Sequence, residues 1–359
     1  MQVQMPLSSS LSPTVASKIL SLQGNRTIVP DIALVTDIDH SLLPWKEGKY
    51  KVEADKEALD GNYNAIKSFG DRILTILVTG LDLLSVKQMK QHFSDSPIID
   101  FLSTDNGKGG LFLNDKGLST LPWLEKTELS DRNLEWETFV RDIAGWKQDT
   151  FLKAVFDELL VKRNAKEEKS ISGHIAYPHY SVYSCTLENT KNTFLVISPY
   201  ESAFFIMKNP AIDDSEKVKQ FAIELAKDIC EKYYRDSNLK IKFSFTEPDD
   251  YFYFFFMPDN GIEINKAAAC EFAIKSLPSE TRNNLKAGIT IGDSRNDTHL
   301  QIENLELPGK KQIPFYAIFS GEGLLQDPAF SSHPRKEISS KKGDVGNAIR
   351  TVMSRIDRD

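Results

Sequence analysis

The stretch Leu34-Val35-Thr36-Asp37-Ile38-Asp39-His40-Ser41-Leu42-Leu43 carries an apolar segment into a polar turn and sets two carboxylates either side of one isoleucine. Four consecutive β-prone or apolar residues before Asp37 read as a buried strand, so the acids fall where that strand ends. Two acids at such a point are costly unless something uses them. A bend after Asp37 would let Asp37 and the backbone carbonyl of Asp39 converge on one cation, while the Asp39 carboxyl reaches past it. That layout suits a nucleophilic aspartate with an acid/base partner close by. A lone pair of this kind is also what an ordinary acidic surface turn looks like.

Working outward, three further segments end in polar residues. Ile73-Leu74-Thr75-Ile76-Leu77-Val78 runs into Thr79-Gly80. Ile289-Thr290-Ile291-Gly292 runs into Asp293-Ser294-Arg295-Asn296-Asp297. Before it, Asn265-Lys266 opens an Ala-rich stretch to Ile274 that reads as a helix, with Asn265 as its N-cap. Strands at Ile32–Val35, Ile73–Val78, Ile98–Leu102 and Phe315–Phe319 alternate with helices at 56–69, 84–93 and 344–356. This alternation predicts an α/β fold, a doubly wound Rossmann-like core with a parallel sheet, in which ligands gather at the carboxyl ends of strands.

The four segments resemble motifs I to IV of the haloacid dehalogenase superfamily of phosphatases, in the forms DxDx[TS], [ST]G, K and GDSxxD. About 185 residues separate Thr79 from Lys266, and that spacing is similar to the large α/β cap of the Cof-type and sucrose-phosphatase-like branch. The resemblance implies a core at 31–122 and 259–359, an inserted α/β cap at 123–258 that sets substrate choice, and an extension at 1–30. It implies Mg²⁺ as cofactor, held by Asp37, Asp39, Asp293 and Asp297. Asp37 would attack phosphorus to give an aspartyl-phosphate, and Asp39 would protonate the departing alcohol and then activate water. Thr79 and the Gly80 amide would bind phosphoryl oxygens, and Lys266 would neutralise their charge. Asp297 would hold Lys266 or a metal-bound water, and Asn296 and His40 would touch phosphate or substrate. The chain departs from many relatives at Leu81, where they carry arginine. Asp105-Asn106-Gly107-Lys108 matches the polar turn after the third strand only loosely.

Between the core segments, short β-prone runs at 180–186, 194–196, 203–207, 240–245 and 251–257 bracket a helical pattern at 216–234, where Val218, Phe221, Leu225 and Ile229 recur at helical spacing. Trp136 and Trp146 sit in what reads as paired helices, and the charged stretch 162–169 reads as a solvated loop or helix end. His174, Tyr177 and His179, in a loop leading into a cap strand, are candidates for leaving-group contacts.

Composition sets the remaining limits. The 359 residues are 40% hydrophobic and 26% charged, enough to bury two moderate cores. A net charge of −7 argues against nucleic acid as a partner, because phosphate backbones demand a basic surface. No apolar run reaches the roughly 20 residues that cross a bilayer. Cys185, Cys230 and Cys270 are few, odd in number and far apart, which fits a reducing, cytoplasmic compartment and no disulfide or zinc framework. The acid-free, Ser-rich Met1–Pro30 keeps an organellar address open beside a docking or loosely ordered extension.

The expected function is therefore an Mg²⁺-dependent phosphatase of a small phosphate monoester, a sugar or sugar-derivative phosphate foremost. The alternatives are a phosphatase of a non-sugar metabolite, a weak or inactive binding or regulatory homologue, and a receiver-like phosphoacceptor switch built from the same residue types.

Overall fold

A computed structural model describes residues 26–46, 53–168, 181–186, 192–197, 202–207, 215–246, 251–309, 311–339 and 341–358. Most of the N-terminal extension, and His174, Tyr177 and His179, lie outside the described residues.

The chain divides into two compact units, one formed by 138–264 and the other by the segments on either side. In the flanking unit the strands are β1 (Ile32–Thr36), β2 (Ile73–Val78), β3 (Phe101–Thr104) and β4 (Gly110–Leu113) before the insertion. The insertion contributes β5 (Lys166–Glu168), β6 (Ser181–Thr186), β7 (Asn192–Ile197), β8 (Ala203–Met207), β9 (Ile241–Thr246) and β10 (Tyr251–Pro258). After it come β11 (Ala287–Gly292), β12 (Asn304–Glu306), β13 (Gln312–Phe319) and β14 (Lys336–Ile338).

The flanking unit is an α/β fold built on one mostly parallel sheet in the order β12-β13-β11-β1-β2-β3-β4, with β14 also on β13. The central strands β1, β2 and β11 are buried at every position, so they read as unbroken apolar runs and not as alternating ones. Registers bring their carboxyl ends level: Thr36 pairs with Leu77 and Ile291, and Val78 with Ser103. The pairing continues one residue further, where Asp37 N–H donates to the Ile291 carbonyl (3.0 Å) and Thr79 N–H to that of Ser103 (2.9 Å). Asp37, Thr79, Asp105 and Asp293 therefore all leave the sheet along one edge.

Buried Asn62, on the helix Lys56–Lys67, ties that edge together. Its Nδ2 donates to the carbonyls of Leu42 (3.1 Å) and Gly343 (2.7 Å), and its Oδ1 accepts from Val345 N–H (2.9 Å). The loop after β1 and the loop before the last helix, Gly346–Ile356, are thus held by one carboxamide.

The insertion carries a separate antiparallel sheet, β5-β6-β7-β8-β10-β9, backed by the long helix Ser215–Ser237. Its core is aromatic: Phe151 and Phe204 pack on Phe256 and Phe254, each pair 4.9 Å apart. Tyr233 stacks on Trp146 while its hydroxyl donates to the Gly145 carbonyl (3.0 Å) and accepts from Lys147 N–H (3.0 Å).

Three expectations need revising. The segment 123–137 packs with the flanking unit, where buried Trp136 lies 5.1 Å from Phe272 and donates through Nε1 to the Gly107 carbonyl (2.7 Å). The charged 166–168 segment is an edge strand paired with β6, where the exposed Lys166 and Glu167 blunt an otherwise sticky edge. The third core strand starts at Phe101, since Asp100 is spent on Thr75: its N–H donates to the Thr75 carbonyl (2.9 Å) and its Oδ2 accepts from Thr75 N–H (2.8 Å).

Replacing Asn62 by leucine, of similar volume, strands two carbonyls and an N–H in the interior. The variant should lose about 3 kcal/mol or more of unfolding free energy, read as a lower urea midpoint with an unchanged slope.

Candidate active site

The helix Lys266–Ser276 starts at the same sheet edge, with Asn265 capping it by accepting from Ala268 N–H (2.9 Å). Lys266 is its first residue, only 1% exposed, and its ammonium bridges two carboxylates: Asp37 Oδ1 at 2.8 Å and Asp297 Oδ1 at 2.6 Å. Burial alone would lower its pKa, but Asp297 and Asp37 outweigh that, so it stays charged.

Asp297 sits in a turn of backbone donors. Its Oδ2 accepts from the N–H of Asp293 (2.7 Å) and of Ser294 (2.9 Å), and Lys266 takes its other oxygen. These contacts hold its pKa below the usual carboxylate value although burial pushes the other way. Close packing explains Gly292: a Cβ there would lie 2.7 Å from the Asp297 carboxylate. Behind it, buried His299 donates through Nε2 to the Ile291 carbonyl at 2.8 Å, and burial drives its pKa down to about 4. A neutral imidazole therefore donates to that carbonyl.

Asp37, Asp293 and Asp297 each offer an oxygen, all within 4.8 Å of one another. Such a cluster can hold a metal ion. The charge balance points the same way. Burial raises the pKa of Asp37 against the pull of Lys266, with Asp297, Asp293 and Asp39 adding repulsion. Asp293 is raised to about 6, by burial first and then by Asp297, despite an ion pair of 2.7 Å with Lys342. Lysines 266 and 342 leave the carboxylates short of positive charge, which a divalent cation would supply. Oxygen donors alone suit a hard cation.

The Asp39 carboxylate is not part of this trio. Its Oδ1 accepts from the indole Nε1 of buried Trp45 (3.1 Å), and the Trp45 ring meets His92 edge-on at 5.4 Å. The structure therefore brings Asp37, Lys266, Asp293 and Asp297 into one cluster and holds Asp39 in the loop beside it. His40 is half-buried with φ 54°, in the left-handed region, and its carbonyl accepts from Ser320 Oγ. Thr79 is buried, and its Oγ1 accepts from Leu81 N–H (3.1 Å), which leaves the hydroxyl proton to donate. Asn296 reaches toward Gly80: a Cβ on Gly80 would lie 3.7 Å from its Nδ2. Trp45, Lys342 and Asn106 border the site without having been singled out from the sequence. For Trp45, an indole six residues after a motif acid was the available signal.

No family model matches the chain, and no curated protein matches it. Among solved structures, a haloacid dehalogenase-like hydrolase from Bacillus subtilis aligns over 93% of this chain and 98% of its own, at 17% identity and a TM-score of 0.41. Trehalose-6-phosphate phosphatase from Aspergillus fumigatus aligns over 95% and 97%, at 12% identity and 0.40. The C-terminal domain of the Candida albicans trehalose synthase regulatory protein aligns over 91% and 94%, at 10% and 0.36. Likenesses of this strength carry no functional assignment, which rests on the site itself. No helix among the described residues is long and apolar enough to cross a membrane.

The raised pKa of Asp293 has a consequence for stability. Because the folded value, about 6, lies above the ordinary 3.8, ionised Asp293 destabilises the metal-free fold at neutral pH, and the penalty shrinks as the pH falls through 6. Asp293→Asn in EDTA should unfold a few degrees higher than the parent near pH 7, with the gain fading toward about pH 4. Scanning calorimetry across that range checks it, and added Mg²⁺ should reverse the order by stabilising only the parent.

Proposed function

We propose that this protein is a metal-dependent phosphatase of small phosphate monoesters, with Asp37 as nucleophile. The observation that carries the reading is the Lys266 ammonium between Asp37 and Asp297, beside Asp293, where the strands of a parallel sheet end. A carboxylate attacking a phosphate dianion works against like charge, so the reaction needs cations already in place. Lys266 provides one and fixes the Asp37 carboxylate by donating to Oδ1, leaving Oδ2 to attack. Asp37 and Asp293 would hold a divalent cation, Mg²⁺ by the chemistry of the donors, which would supply the rest of the positive charge.

Asp37 Oδ2 attacks phosphorus in line with the leaving oxygen, and the ester bond breaks to leave a phosphoryl group on Asp37. Asp39, steadied by the Trp45 indole, gives its proton to the departing alcohol. The same carboxylate then takes a proton from water, which attacks phosphorus and frees Asp37 as phosphate leaves. Thr79 Oγ1–H and the Gly80 N–H donate to phosphoryl oxygens, and Asn296 Nδ2 approaches from the neighbouring loop. A phosphoacceptor switch needs no acid two positions beyond the acceptor. The supported Asp39 carboxyl therefore favours turnover over the receiver-like alternative. The substrate class that the family resemblance implies is a phosphorylated sugar or sugar derivative.

Asp37→Asn should abolish phosphate release from a panel of phosphometabolites while unfolding at a midpoint close to the parent's, since an amide of equal volume is a very poor nucleophile. Near-parental turnover would remove Asp37 from the role. Asp39→Asn should lose at least about tenfold more kcat/KM on alkyl phosphates than on an aryl phosphate, whose leaving group hardly needs a general acid. Equal losses would place the acid elsewhere.

A further inference from the structure

The turn that leads from β3 into β4 runs through three consecutive left-handed residues, Asp105 (φ 47°), Asn106 (φ 51°) and Gly107 (φ 94°). It is bound to the loop after β2 on two sides. Asp105 N–H donates to the Leu81 carbonyl and Asn106 N–H to that of Thr79, both at 2.9 Å, while Trp136 Nε1 holds the Gly107 carbonyl at 2.7 Å. The Asn106 side chain has its direction set by this bracing.

That side chain lies against Gly80. A Cβ built on Gly80 would be 3.5 Å from each terminal atom of the Asn106 carboxamide and 3.7 Å from Asn296 Nδ2. These are ordinary contact distances, and Gly80 is not among the glycines with positive φ. Neither backbone conformation nor protein packing therefore demands glycine at position 80. What its bare Cα preserves is the space a methyl group would fill, bordered by two carboxamides.

Asn106 is 7% exposed, and its Oδ1 is buried with no hydrogen-bond partner among the described residues. An acceptor left in that state costs free energy that a donor would recover. Phosphoryl oxygens are acceptors and cannot meet the need, whereas a hydroxyl can. A left-handed turn explains an asparagine here only in part, because glycine would serve the backbone equally well.

We propose that Asn106 is a specificity-determining residue of this site, its carboxamide oxygen accepting a hydrogen bond from a second hydroxyl on the alcohol portion of the phosphate ester. The ester class is thus one whose alcohol is polyhydroxylated close to the phosphate. The inference rests on the phosphatase reading above. It also puts part of the choice among alcohols in the flanking unit, where the sequence pattern assigned that choice to the insertion.

The test compares kcat/KM for a polyol phosphate with that for an alkyl phosphate of equal chain length lacking the extra hydroxyls, in Mg²⁺. Asn106→Gly keeps the turn and removes the carboxamide, and should lower the polyol-to-alkyl ratio about tenfold, the scale of one hydrogen bond. Asn106→Asp keeps both the left-handed turn and an acceptor oxygen. It should hold the ratio within about twofold of the parent even if both rates fall. An unchanged ratio in the glycine variant, equal losses on both esters, or a ratio lost in the aspartate variant as well would each overturn the proposal while leaving the phosphatase reading in place. A parent protein that turns over neither these esters nor an aryl phosphate would overturn that reading, and this proposal with it.

Discussion

A single buried ammonium organises this molecule. Lys266 sits with 1% of its surface exposed between two carboxylates brought from the first strand and from the loop after β11, segments far apart in sequence. Removing the lysine would leave three buried acids facing one another without their counter-charge, whereas losing one of its two acids still leaves the ammonium the other. The pair contacts therefore depend on each other and on the sheet register that sets the strand ends level. The parallel pairing of β1 with β11 and β2 supplies that register, and Asn62 keeps the loops around it from drifting apart.

The same arrangement explains why the site is poised for chemistry and not for maximal stability. Burial raises the pKa of Asp37 and Asp293, so holding both ionised at neutral pH costs free energy that better-solvated acids would not. Asp297 differs because backbone N–H groups and Lys266 satisfy it completely. One acid is a fixed structural anchor, and two are left needing a cation. That division of labour follows from a short turn, Gly292 to Asp297, whose tightness requires a glycine at its start.

Much of this was legible in the residues. The strand runs Ile32–Val35, Ile73–Val78 and Ile289–Gly292 are short, continuous and apolar because both faces are covered, and each stops at the residue that carries chemistry. Asn265 before Lys266 marked the helix start. What the sequence could not yield were contacts made across distance. Trp45 reaches Asp39, Trp136 braces the turn at Gly107, and Lys342 pairs with Asp293, yet an indole or a lysine in a loop has no local pattern that names its partner. The same limit hid Asn106, whose environment depends on three loops meeting at Gly80. The boundary of the insertion shifted for a related reason: Trp136 joins the flanking unit through Phe272 and the Gly107 carbonyl, partners that no local pattern names.

A nucleophilic Asp37 must become phosphorylated during turnover. Acid quenching of the protein within the first turnover on an aryl phosphate, followed by peptide mass spectrometry, measures this directly. A phosphoryl group should appear on the peptide containing Asp37, labile in base and absent from Asp37→Asn. Steady phosphate release with no phosphorylated peptide at any time, or with the group on another residue, would rule out Asp37 as the nucleophile.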